Sequence, residues 1–288
     1  MKKTILLLAV AFGITNVFAQ DLKSKKDEPI LPEAGDWAIS VDAKPVLNYL
    51  GGFLSNAGAV SPTWGYPGTP LAITGKYFKD EKTAFRAMVR IGLGSTTYTN
   101  YVNDQTYTGT GTPPTVKDTR KVSQHNIILG GGMEMRKGKT RLQGYYGGML
   151  YIMLGGSDTT NAYGNSMNKT YANPLSTTWG SNGAAGAGPM SSRITQDKAG
   201  STFGFGLRGF IGAEYFIFPK MAVGAEFGWG IGMSNRGDGT IKTESLDVNL
   251  NEQIVSGKNG GKKQFGLDTD INSMQMMPTA SLNLTLHF

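Results

Sequence analysis

The sequence contains no cysteine. This absence excludes disulfide frameworks, cysteine-bound zinc, thiol nucleophiles and a lipid anchored through cysteine. Hydrophobic residues make up only 39% of the chain, and beyond the N-terminus no apolar run reaches the roughly 18 residues that a membrane-spanning helix needs. Glycine is abundant, with 41 residues, and threonine, serine, asparagine and tyrosine are common. This composition favours strands and loops over helices.

The formal net charge is +7, but the lysines and arginines are scattered along the chain. No dense basic stripe interleaved with aromatic residues is present, so we expect no nucleic-acid binding. Gly204, Gly206 and Gly209 have the spacing of the dinucleotide fingerprint, but they lie within a predicted strand that no helix follows. Asp268, Asp270 and Asn272 begin like a calcium loop but lack its glycine and its final glutamate, so we predict neither a metal nor a cofactor.

The N-terminus has the pattern of an export signal. Lys2 and Lys3 precede a mostly apolar run over residues 4–17, and Ala19 provides the small residue before a cleavage site. We therefore predict a signal peptide over residues 1–19. Residues 20–35 are charged and contain two prolines, which is typical of a flexible leader, here a periplasmic one, before the folded domain of residues 36–288.

From Trp37 onward, apolar and polar residues alternate in eight segments, as in half-buried strands. In one of them Phe85, Val89 and Leu93 oppose Arg86 and Arg90. The polar faces together carry charged residues of both signs, namely Asp42, Lys44, Lys76, Arg86, Arg90, Glu134, Arg136, Arg208, Glu214 and Glu226. If the apolar faces point outward, these side chains meet inside, and their mixed signs predict a paired network rather than a channel wall.

The connections between the segments alternate in length. They are short around residues 79–82, 137–139 and 219–220, and long near residues 51–70, 95–121, 155–200 and 234–272. Short turns at one end and long loops at the other are the pattern of outer-membrane proteins, whose backbone must be fully paired within lipid. We therefore predict an all-β fold: an eight-stranded antiparallel transmembrane β-barrel with short periplasmic turns, long extracellular loops and both termini in the periplasm.

Aromatic residues near the strand ends fit the two interface belts of such a barrel. The pattern assigns five of them to the periplasmic belt: Trp37, Tyr77, Phe85, Tyr215 and Phe227. Tyr49 and Trp229 fall toward the outer belt.

The C-terminal segment has alternate apolar residues and a terminal aromatic at Leu282, Leu284, Leu286 and Phe288. It resembles the insertion signal of bacterial outer-membrane proteins, and the plan of the chain after residue 36 is similar to the small OmpA/OmpX-type barrels. The long loops rich in glycine, asparagine and threonine have a Bacteroidetes-like character. The resemblance implies a Gram-negative outer membrane, insertion by the barrel-assembly machinery, and contact with outer-membrane lipid and lipopolysaccharide.

Ser123 and His125 share one face of the fourth segment. Some outer-membrane lipid A deacylases use a lipid-facing Ser–His pair, but a triad also needs an acid that orients the histidine, and the sequence singles out none. We therefore expect no enzyme. The favoured function is a structural or interaction protein, either a subunit of a larger outer-membrane assembly or a binder that acts through its loops. A narrow diffusion pore and a lipid A-modifying enzyme are the alternatives.

Overall fold

The computed structural model describes residues 22–43, 73–268 and 280–288. No helix in these ranges is long and apolar enough to cross a membrane. The described residues form fourteen strands: β1 Trp37–Asp42, β2 Ile73–Asp80, β3 Thr83–Asn103, β4 Thr115–Lys137, β5 Leu142–Ala162, β6 Leu175–Gly180, β7 Gly183–Pro189, β8 Ser192–Lys198, β9 Thr202–Phe218, β10 Met221–Arg236, β11 Gly239–Leu246, β12 Glu252–Asn259, β13 Lys262–Asp268 and β14 Ala280–His287.

Eight of these strands pair in a closed cycle, which we call the strand ring. Each of β1 to β5 pairs with the next, β5 pairs with β9, β9 with β10, β10 with β14, and β14 returns to β1. All of these pairings are antiparallel. Because the cycle returns to its start, the ring has no edge strand.

The two faces of the ring differ sharply in chemistry. On β3, Phe85, Val89 and Leu93 are exposed, whereas Arg86 and Met88 between them are buried. The same alternation runs along the other ring strands, so the outer surface is lined by large exposed apolar side chains and the interior by buried ones.

Three ring strands, namely β3, β4 and β5, extend further than the sequence predicts. The predicted loop of residues 95–121 is largely strand, because β3 continues to Asn103 and β4 begins at Thr115. Beyond Leu93 the outer face of β3 carries Ser95, Thr97 and Thr99. The hydrophobic alternation that signals a half-buried strand is lost there, although threonine still favours extended backbone.

The other long connections also contain strands, so the described residues hold fourteen strands, of which the eight predicted segments account for the strands of the ring. The predicted loop of residues 155–200 holds the end of β5 and all of β6 to β8, and the loop of residues 234–272 holds β11 to β13. β8 pairs with β5 and with β11, β12 pairs with the other edge of β11, and β13 pairs with β10. The predicted loop of residues 51–70, the signal peptide, Lys44 and Tyr49 lie outside the described residues.

Residues 22–36 fold back against the end of the ring that carries the short connections. Ile30 is fully buried against Phe216 and Ala222, and its carbonyl oxygen accepts a hydrogen bond from the Lys220 backbone N–H at 3.2 Å. The Lys220 ammonium pairs with Asp36. The predicted flexible leader of residues 20–35 therefore has fixed contacts from residue 22 onward, because one apolar anchor offsets the charged composition around it.

Both ends of the ring-forming chain meet at this same end. Trp37 and Phe288 exchange two backbone hydrogen bonds, each 2.8 Å long. The short connections, the N-terminal segment and the C-terminus thus share one end, which we call the turn end. The opposite end, where β6 to β8 and β11 to β13 lie, is called the open end.

Candidate functional site

Seven charged side chains from five strands meet inside the ring near the turn end. They are Lys76 on β2, Arg86 on β3, Glu134 and Arg136 on β4, Arg208 and Glu214 on β9, and Glu226 on β10. All seven are buried. We call this set the ion network, and every member was predicted from the alternation to face the interior.

Glu214 and Glu134 form one centre of the ion network. Glu214 accepts from Lys76 Nζ at 2.6 Å and from Arg136 Nη2 at 2.7 Å, one cation on each carboxylate oxygen. Glu134 pairs with Arg136 at 2.8 Å, with Lys76 at 3.1 Å and with Arg86 at 3.5 Å. Each carboxylate is therefore shared by at least two cations, which offsets the cost of removing the charges from water.

Glu226 forms the second centre. It accepts from Arg86 Nη1 at 2.8 Å and from Arg208 Nη1 at 2.6 Å. The Arg86 guanidinium also lies 4.2 Å from the centre of the Phe210 ring. A side chain at Gly228 would place its Cβ 2.3 Å from the Arg208 guanidinium, so glycine is required there to admit the arginine.

Asp42 and Arg90 were also predicted to belong to this interior network. Both are half-buried at interior positions of β1 and β3, and both take part in polar or charged interactions.

Mostly apolar side chains flank the ion network on both sides. Toward the turn end, the His287 ring lies between Phe78 and Phe216, with 5.3 Å between ring centres on each side. Toward the open end lies a cluster that we call the methionine layer, made of Met88, Ile128, Met149, Tyr151 and Met153. Of these residues only Tyr151 was assigned to the polar face from the sequence, although Met88 and Met149 have the same alternation as the charged residues beside them.

The predicted interface aromatics lie on the outer face. The Trp37 and Tyr77 rings contact each other near the turn end, with 4.9 Å between ring centres and a tilt of 49° between the ring planes. Phe85 and Tyr215 are exposed there too. Phe227 and Trp229, however, are neighbours on β10 with ring centres 6.2 Å apart. Their assignment to opposite belts is therefore wrong, because residues two apart in a strand point the same way and lie about 7 Å apart.

The C-terminal residues proposed as an insertion signal form the outer face of β14. Leu282, Leu286 and Phe288 are exposed and Leu284 is half-buried between β1 and β10, opposite Val41 and Val223.

Ser123 and His125 point outward on β4, but they do not form a catalytic pair. The Ser123 hydroxyl lies 3.3 Å from the Ser95 hydroxyl. The His125 ring lies against Gly156, where an added Cβ would be 2.7 Å from ring atom Cε1. Asp158 is opposite Ser123 on β5, but its carboxylate accepts from Gln196 at 3.1 Å. Within the described residues no hydrogen bond joins the histidine to the serine or to the aspartate.

Two polar clusters at the open end were not anticipated. The fully buried Asp118 carboxylate accepts from the Gly164 N–H at 2.8 Å and from the Thr177 N–H and hydroxyl at 2.7 Å, which fastens β6 to β4. Arg193 pairs with Glu244 at 2.7 Å and stacks on Tyr163 at 4.6 Å, and burial raises the pKa of Tyr163. Each of these contacts joins two residues that are far apart in the sequence, so no local sequence pattern predicts it.

The described residues contain no group of three or more histidine, aspartate and glutamate side chains that could hold a metal ion.

The chain matches no protein-family model and no curated protein. Among solved structures it is similar to the outer membrane protein OprG from Pseudomonas aeruginosa, with 13% identity over 90% of this chain and 98% of that chain and a TM-score of 0.28. A likeness of this size does not assign the chain to a family.

Proposed function

We propose that this chain is an outer-membrane protein whose ring is an eight-stranded transmembrane β-barrel with both termini in the periplasm. The outer face supports this: on β3 the exposed apolar side chains run from Phe85 to Leu93, close to the roughly 9–11 residues that a tilted strand needs to cross a bilayer. A closed cycle of strands also leaves no unpaired edge toward lipid. The OmpA/OmpX-type resemblance and the Bacteroidetes-like character remain part of this proposal.

We further propose that the barrel is a closed scaffold and that its function is binding at the open end, as a loop-mediated binder or a subunit of an outer-membrane assembly. The observation that carries this is the filled interior, in which the ion network lies between two apolar layers. An eight-stranded barrel has an interior just wide enough for side chains. The diffusion-pore alternative is therefore disfavoured.

The lipid A-modifying alternative lacks a supporting contact, because Ser123 bonds to Ser95 and Asp158 bonds to Gln196. We propose a non-enzymatic role. The expected partners are outer-membrane lipid and lipopolysaccharide, the barrel-assembly machinery during insertion, and a protein or ligand at the open end.

Planar-bilayer recording tests the closed scaffold. We expect no steady conductance from the purified chain, and a steady ohmic conductance would overturn this part of the proposal.

Photo-crosslinking in native membranes tests binding at the open end. Val248, at the tip of the β11–β12 hairpin, is 98% exposed, and Leu150, on the outer face of β5, is 65% exposed. With a photoreactive residue at Val248 we expect adducts with a protein or ligand, whereas the same residue at Leu150 should capture lipid. Lipid alone at both positions would contradict a binding role.

A further inference from the structure

A polar cavity of about 470 Å³ lies at the open end. This volume falls within the range of roughly 300–1,000 Å³ that small-molecule sites usually occupy. Its side chains are Ser157, Thr159, Asp197, Arg236 and Asn259, which come from β5, β8, β10 and β12. The lining thus offers hydroxyl, carboxylate, amide and guanidinium groups.

Strand register places the cavity on the side of the strands that faces the ring interior. Asp197 lies opposite Thr159, and Arg236 lies opposite Thr202, which itself faces Gly155. Ser157 and Thr159 continue the interior series of β5 after Met153. Ser157 follows Met153 by four residues, or about 13 Å along the strand. The cavity therefore lies beyond the methionine layer, toward the open end.

Two cations stand directly opposite each other beside the cavity. Arg236 on β10 pairs in register with Lys262 on β13, so their side chains share one face. Like charges at directly opposed positions destabilise a sheet. Neither side chain has an ion-pair partner among the described residues. An anion bound between them would remove the repulsion.

The rest of the lining suits hydroxyl groups. The Asp197 carboxylate accepts from Asn259 Nδ2 at 2.7 Å, which orients both side chains. One carboxylate oxygen and the asparagine amide oxygen remain as acceptors, and Ser157 and Thr159 add hydroxyls. A Cβ added at Gly260, which also lines the cavity, would meet nothing within 4 Å, so open space lies beside this residue.

We infer that this cavity binds an acidic saccharide, a sugar ring that carries a carboxylate. Arg236 and Lys262 bind the carboxylate, and Asp197, Asn259, Ser157 and Thr159 bind the ring hydroxyls. This inference rests on the proposed binding function at the open end and names its ligand class.

Isothermal titration of the purified full-length protein in detergent tests the inference. We expect D-glucuronate to bind and D-glucose and acetate each to bind at least about tenfold more weakly, since each lacks one half of the recognised chemistry. No glucuronate binding, or equal binding of all three probes, would overturn the inference.

Three variants locate the site. Lys262→Ala should weaken glucuronate binding about tenfold or more, whereas Lys263→Ala is a matched control, because Lys263 pairs with Asn235 and points to the opposite face. Gly260→Leu should abolish binding by filling the cavity, with the thermal unfolding temperature as the check on folding. Equal affinity in Lys262→Ala and Lys263→Ala would overturn the assignment.

Two further experiments distinguish the source of the acidic sugar, and distinguish failure of the saccharide inference from failure of the proposed function. Loss of glucuronate binding after lipopolysaccharide is added identifies its acidic sugars as the ligand, and retained binding identifies a soluble acidic sugar. If no acidic sugar binds but Val248 still captures a partner, the saccharide inference fails and the proposed function stands.

Discussion

The two halves of the ring interior are filled in opposite ways, although they adjoin along β3 at Arg86 and Met88. Toward the turn end the side chains are charged, and each forms ion pairs with N–O distances of 2.6–3.5 Å. Toward the open end the methionine layer depends on volume and shape. A buried charge that loses its partner remains costly, whereas a gap in an apolar layer can partly collapse. The ring interior is thus filled in two ways, by ion pairs and by apolar packing.

Removal of one shared carboxylate should have the largest effect. Glu214→Ala leaves Lys76 and Arg136 buried without the oxygens that they contact at 2.6 and 2.7 Å. Both cations would then share Glu134 alone, and the interior would carry one more uncompensated positive charge. We expect the free energy of unfolding to fall by about 3–5 kcal/mol, as when one member of a buried ion pair is removed. Urea titration in phospholipid vesicles, followed by tryptophan fluorescence, measures this change.

The matched control for that change is Glu252→Ala, at an exposed position of β12. We expect a change within about 0.5 kcal/mol there, as for most surface substitutions. Equal effects of the two substitutions would mean that the ion network contributes nothing beyond the loss of a charge.

Truncation in the methionine layer should cost less. Met149 is buried beside other layer residues, and Met149→Ala should lower the free energy of unfolding by about 2–3 kcal/mol, because flexible neighbours partly refill the space. The variant should still show no steady conductance, because the ion network still fills the interior on the side of the turn end. Steady conductance from the Met149→Ala variant would show that the methionine layer alone, without the ion network, blocks the interior.

The sequence predicts which residues face the interior, but it does not predict which of them pair with each other. Alternation placed Arg86 and Glu134 inside, because each lies between exposed apolar residues on its own strand, and it placed Lys76 inside beside the exposed Tyr77. The pairing of Lys76 with Glu214 was out of reach, since these residues are 138 positions apart and meet only through the register of the closed ring.

The open end was least predictable. The outward residues Ser95, Thr97 and Thr99 are polar, so β3 lost its hydrophobic period while remaining a strand. Asp118 finds its partner Thr177 59 positions away, and the cavity with Arg236 is assembled from four strands. Contacts of this kind depend on hairpins within the long connections, for which alternation carries no signal.

The N-terminal segment of residues 22–36 packs against the turn end of the ring. We expect its contribution to the free energy of unfolding to be smaller than that of the ion network or the methionine layer. Ile30→Ala removes the apolar anchor against Phe216 and Ala222. We expect about 2 kcal/mol of lost local stability, since Ile→Ala in a full core costs about 2–5 kcal/mol and this cluster is small. Trypsin cleavage after Lys25 or Lys26 should then become faster. An unchanged cleavage rate would mean that residues 22–36 detach from the ring independently of Ile30.

The smallest predicted effect compares the inner and outer faces of the ring at two adjacent glycines of β4. A Cβ added at Gly132, on the interior face, would lie 2.1 Å from the Gly148 carbonyl oxygen, whereas one added at Gly131, on the outer face, would meet nothing within 4 Å. Gly132→Ala should therefore lower the free energy of unfolding by about 1–2 kcal/mol through overpacking. Gly131→Ala should change it by less than about 0.5 kcal/mol. Urea titration of both variants in the same vesicles compares them directly. If Gly131→Ala proved the more costly, the outer face at this position would have to be covered rather than open to lipid.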